Sequence, residues 1–116
     1  MIEAPPHIYV QTLEEWAPGF WDRFFSAVWA GYYRYGKPMQ VTSWWRTVSR
    51  NADAGGHPES QHLVGTAFDV LPADPALEGA MEMAGFIGVM RPTHLHLQAF
   101  PAGLLRQVGF LSAVGI

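Results

Sequence analysis

A chain of 116 residues with 49% hydrophobic and 15% charged side chains can bury one real core, which excludes a disordered chain and predicts a single domain over residues 1–116. Without cysteine it cannot be a disulfide scaffold, a thiolate zinc finger or an enzyme with a cysteine nucleophile. The formal net charge is −3 and the seven basic residues are scattered, so no phosphate-binding face forms and nucleic acid is not an expected partner.

Met1 to Pro6 has neither a basic stretch nor an apolar run, so no secretory signal is read there. No stretch reaches the ~18 uninterrupted apolar residues of a membrane span. The expectation is cytoplasmic synthesis without a signal peptide. Pro5, Pro6 and Pro18 suggest an extended arm leading into a helix from Pro18 to about Gly36. On that helix Phe20, Phe24, Ala27, Val28 and Gly31 form one stripe, and Trp21, Phe25, Trp29 and Tyr32 a second. Apolar on two sides, it is either deeply buried or partly offered to a partner, and burial is the simpler reading.

Residues 39–45 alternate like a strand, and 49–60, with Gly55-Gly56 and Pro58, read as a surface loop. Residues 66–71 form a short strand stopped by Pro72. Asp74 caps a helix with Pro75 at its first position, running to about Met83 and closing near Gly85. Residues 93–98 alternate strictly, which makes a strand with His94 and His96 on one face. A last short helix is read over residues 102–108. Helices and strands without a βαβ rhythm predict an α+β fold: a small, mostly antiparallel sheet packed against helices.

His62 and Asp69 lie seven residues apart across a loop-to-strand passage through Gly65, and His94 and His96 come from a later strand. Two imidazoles and a carboxylate suit a catalytic zinc site with three protein ligands and an open fourth place. Taken singly, each residue has an ordinary reading. His7 and His57 are surface histidines, Asp69 is a strand-end acceptor for loop amides, and His-x-His is an exposed polar face. The joint pattern is what points to a metal.

That pattern, Ser60-x-His62-x-x-Gly65-x-Ala67-x-Asp69 followed by a His-x-His strand, resembles the zinc D-alanyl-D-alanine metallopeptidases. These include bacterial carboxypeptidases, vancomycin-resistance dipeptidases and phage endolysins that cut peptidoglycan stem peptides. The segment Val41-Thr42-Ser43-Trp44-Trp45-Arg46 is similar to the family's "TSGYRS", and the likeness continues through Asn51 and Gly55-Gly56, covering roughly residues 39 to 98. The resemblance implies a Hedgehog/DD-peptidase-like fold, a Zn2+ cofactor, and His62, Asp69 and His96 as metal ligands. It makes His94 a hydrogen-bonding or transition-state-stabilising group beside them. Arg46 matches the arginine that holds the substrate's terminal carboxylate or supports the site; a guanidinium packed over Trp44 or Trp45 is the other reading. Ser60 and Gln61 would shape the substrate-facing loop, and Gly65 and Ala67 would leave room for the metal and backbone.

One position departs from the pattern. Relatives often carry an acid three residues before the last histidine ligand, as general base; here it is Thr93, or Arg91 if His94 were the ligand. His94, Glu59 and Glu82 are the remaining candidates for that role. The expected function is therefore a zinc peptidase (carboxypeptidase, endopeptidase or endolysin) acting on peptidoglycan peptides at the cell wall. A phage or prophage source, or membership of a larger phage or cell-wall assembly, would suit its small size. The alternatives are a catalytically weak metal-binding cell-wall or virion structural module, and a metal-free scaffold.

Overall fold

Along two paired strands Phe68, Val70, Leu95 and Leu97 alternate with Asp69, His96 and Gln98, and this period of two gives the sheet one apolar and one polar face. The computed structural model describes residues 2–116. Its sheet has four strands, β1 (Gln40–Ser43), β2 (Ala67–Leu71), β3 (Ile87–Met90) and β4 (Leu95–Gln98), in the order β1-β2-β4-β3 with every pair antiparallel. The predicted α+β class is what forms. β2 and β4 are central, so Asp69 and His96 sit on the two strands paired on both sides.

The helices are α1 (His7–Trp16), α2 (Phe20–Tyr35), α3 (Val48–Asp53), α4 (Pro75–Met83), α5 (Leu104–Gln107) and α6 (Phe110–Ala113). α2 and α4 cover the apolar face: Phe24 meets Phe68 and Phe86 edge-on, and Leu77 and Met81 are fully buried. The first stripe of α2 is the buried one, joined by Trp21, whose indole N–H donates to the Val10 carbonyl (2.9 Å). The second stripe emerges at its far end, where Trp29 is 57% exposed and neighbouring Tyr33 72%. Asp74 caps α4 as predicted, accepting from Ala76 N, and also accepts the Tyr35 hydroxyl, joining the end of α2 to the start of α4. The Ala76 amide and then the Tyr35 hydroxyl hold the Asp74 carboxyl below its ordinary pKa.

Gly31 sets the approach of these two helices. A Cβ there would lie 2.5 Å from Met81 Sδ and 3.3 Å from Met81 Cα. Gly31→Val should therefore destabilise the protein by about 1–3 kcal/mol in urea denaturation, because the backbone of α4 must retreat as well as the thioether. An unchanged midpoint would show that α2 and α4 part freely.

The fold also corrects the sequence reading. The expected extended arm is helix α1, with Pro6 at its N-terminal cap and Leu13 buried; prolines can open a helix because its first N–H groups have no partners. Tyr9, Leu13 and Trp16 mark the helical spacing. Thr47, just before the expected loop, accepts from Arg50 N and starts α3, which runs on into it as far as Asp53. β3, an edge strand, and α6 lie where no element was assigned. β1 is shorter than expected, ending where a bulge between Val41 and Ser43 breaks its register with β2.

Candidate metal centre

Asp69 and His96 are direct cross-strand neighbours in the β2–β4 ladder, so backbone pairing alone brings one carboxylate and one imidazole together. The second imidazole comes from a 3-10 turn at Gln61–Leu63, which Ser60 caps by accepting from His62 N. That turn is fastened to the chain following β1 at four points. Trp44 Nε1 donates to the Gly65 carbonyl (2.7 Å) and Trp45 Nε1 to Leu63 (2.9 Å). Arg46 N donates to the His62 carbonyl (3.0 Å), and His62 Nδ1 to that of Trp44 (2.6 Å). The tryptophans thus brace the loop through their N–H groups.

The three side chains converge. His62 Nε2 and His96 Nδ1 each lie 3.2 Å from Asp69 Oδ1, and one ligand atom from each of the three residues falls within 4.8 Å of the others. His62 and Asp69 are buried, at 2% and 3% exposure. The other carboxylate oxygen, Asp69 Oδ2, receives Arg46 Nη2 at 2.7 Å, while Arg46 Nε donates to Ser43 Oγ. The guanidinium is thus aimed at Asp69, and the alternative of stacking over Trp44 or Trp45 is not what forms.

The donor pattern fits a cation. A backbone carbonyl only accepts, so His62 Nδ1 must carry the hydrogen that goes to Trp44. In the neutral ring, Nε2 then presents its lone pair to Asp69 Oδ1, another acceptor, in a buried site. Two acceptors at this separation need a positive charge between or beside them, whether a proton or a metal ion. Burial by itself would raise the Asp69 carboxyl pKa, but with a proton between imidazole and carboxylate the hydrogen bonds with His62 and His96 and the charges of His62 and His94 override it. The carboxyl is held well below the ordinary carboxylate range.

Around this centre opens a cleft of about 770 Å³. Arg46, Ser60, Gln61 and His94 all line it, as do Arg91 and Thr93. His94 stands beside the cluster, 31% exposed, with Nε2 3.7 Å from Asp69 Oδ1 and Nδ1 3.0 Å from Thr93 Oγ1. Gln61 is mostly engaged with the protein: its amide nitrogen donates to the Phe100 carbonyl, and its oxygen accepts from Phe100 N and the Thr66 hydroxyl. Of the two acids named as further bases, Glu59 lines the cleft and pairs with Arg106 (3.0 Å), whereas Glu82 lies on α4 and lines a separate hollow beside α2.

Two motif residues have local explanations. Asn51 Nδ2 donates to the His57 carbonyl, and a Cβ on Gly56 would fall 2.1 Å from Asn51 Oδ1, so the buried asparagine supports from beneath the Gly56–His57 stretch that lines the cleft. Gly65 adopts φ +82°, and a side chain there would strike the Pro5 ring; the space it leaves is for Pro5 rather than for a metal. Sequence reasoning missed Gln98, whose Oε1 lies 2.8 Å from His96 Nε2; its place two residues after His96, on the same strand face, was the available signal.

No individual curated protein and no solved structure matches the chain. The family model described as peptidase M15 does match, over residues 21–98. That span is about two thirds of the sequence, running from α2 to the end of the strand that bears His96. A match of this extent means that the chain belongs to the peptidase M15 family.

Proposed function

We propose that the protein is a zinc-dependent peptidase that hydrolyses peptidoglycan stem peptides, with His62, Asp69 and His96 as its metal ligands. The observation that carries this reading is the convergence of two imidazoles and a carboxylate, His62 and Asp69 buried and His96 partly so, at the wall of an open cleft. Zinc held there would polarise a peptide carbonyl and make water a nucleophile near neutral pH. Arg46 then secures the second Asp69 oxygen and fixes the carboxylate's orientation. His94, one side of which is tied to Thr93, is placed to bond the reacting carbonyl oxygen or to hold a proton at Nε2. Ser60 and Gln61 shape the wall along which the substrate lies.

The test is incubation of the zinc-loaded protein with purified sacculi and with a peptide ending in D-alanyl-D-alanine. Release of new amines, abolished by a chelator and restored by zinc, is expected. A second reading, a metal-binding cell-wall or virion module with little chemistry, is favoured by Thr93 at the position of the acid in relatives. It predicts stoichiometric zinc and muropeptide binding without amine release.

A further inference from the structure

The polar face of β4 continues past His96 to Gln98, and the hydrogen bonds of Gln98 can be assigned from chemistry alone. Gln98 Nε2 lies 2.8 Å from the Phe100 carbonyl, which can only accept, so the nitrogen end of the amide must face it. The oxygen end therefore faces His96 Nε2 at 2.8 Å, and that nitrogen must donate. One backbone carbonyl thus fixes the amide, and the amide in turn fixes the ring. The remaining ring nitrogen, Nδ1, is the one directed at Asp69.

We propose that Gln98 is a positioning residue of the metal centre, holding His96 so that Nδ1 rather than Nε2 faces the ion. This rests on the metal-binding reading above and deepens it. The anchor is shared with the other histidine. The Phe100 carbonyl also accepts from Gln61 Nε2 (2.6 Å), and Phe100 N donates to Gln61 Oε1 (3.1 Å). Gln61 directly precedes His62, so the two imidazole-bearing segments are tied to a single peptide unit. The Phe100 ring stacks on Phe20 of α2 (5.3 Å, 20°), which joins that peptide to the core. The spacing between the two imidazoles is therefore set by core packing through two amide side chains. A ligand's second nitrogen, held by an acceptor, gains basicity at the first and loses rotational freedom.

The experiment compares the unmodified protein with Gln98→Leu and Gln98→Glu. Zinc affinity is read by competition with a chromogenic chelator, and the melting temperature is measured on the metal-free proteins. Gln98→Leu removes the acceptor at similar volume and should weaken zinc binding about 10- to 100-fold, with the metal-free melting temperature little changed. Gln98→Glu keeps an acceptor for His96 and should recover binding to within a few-fold of the unmodified protein. If Gln98→Leu does not fold, Gln98→Val gives the same comparison with a residue suited to a strand. Zinc binding unchanged by loss of the amide overturns the proposal, and so does Gln98→Glu binding as weakly as Gln98→Leu, which would show that an acceptor opposite His96 Nε2 is not what supports the metal. Failure of the unmodified protein to bind zinc is a different result: it overturns the metal reading itself and this proposal with it.

Discussion

Asp69→Asn is expected to give a folded protein that no longer retains zinc and no longer releases amines from peptidoglycan. The amide keeps the size of the carboxylate and an oxygen that can accept from Arg46, so the 2.7 Å contact need not be lost with the charge. What disappears is the anion that both imidazoles and the proposed ion face. The loss in zinc affinity should reach or exceed the roughly hundredfold seen when the partners of ligands are changed. Elemental analysis after dialysis, with one zinc per unmodified chain and none on the variant, is the check; equal zinc on both would remove Asp69 from the ligand set.

The same substitution has an acid signature in the metal-free protein. The folded Asp69 carboxyl titrates below its unfolded value, so its ionised form stabilises the fold. That contribution is complete above the ordinary aspartate pKa of about 4 and is lost as pH falls toward the lowered folded value. Between about pH 5 and 3 the unmodified protein should therefore lose stability faster than Asp69→Asn. Parallel acid-melting curves would show that the carboxylate contributes nothing to the fold.

Gly65→Ala should be the most damaging single-methyl change in the motif. Its φ of +82° is a conformation that costs an L-residue about 1–2 kcal/mol. The added Cβ would also lie 2.6 Å from Pro5 Cγ and 2.9 Å from Pro5 Cβ, atoms of a ring that cannot swing aside. With about 1–3 kcal/mol for the overpacking, the total is about 2–5 kcal/mol, or a fall in melting temperature of roughly 8–20 °C for a domain of this size. Gly79→Ala is the natural control. It lies inside α4 with nothing within 4 Å of its Cβ, and should stabilise by about 0.5–1 kcal/mol. Thermal melts of the two variants should move in opposite directions. Because the Gly65 carbonyl accepts from Trp44, the loss at Gly65 should also loosen the turn that presents His62 and lower zinc affinity.

Elements governed by local rules were readable from the residues. The Asp74–Pro75 start of α4, the strand ended before Pro72 and the alternation around His96 each follow from a cap, a missing N–H or a period of two. α1 was hidden because its prolines suggested extension, although at a helix start they are compatible with it. β3 was hidden because an edge strand of four residues, Ile87–Met90, has too little alternation to declare itself. Within the site, the identities of His62, Asp69 and His96 stood in the motif, whereas their distances did not.

The sequence by itself determined the chemical kinds available to this protein: two imidazoles, one carboxylate and one guanidinium, in an order shared with a peptidase family. Those follow from residue type and spacing along the chain. Only the tertiary structure decided that Arg46 would point at Asp69, that Gly65 would make room for Pro5, and that Gln98 would hold His96. Each depends on which distant backbone carbonyl or ring lies opposite, and that is fixed by strand register and core packing, which no local stretch of residues contains.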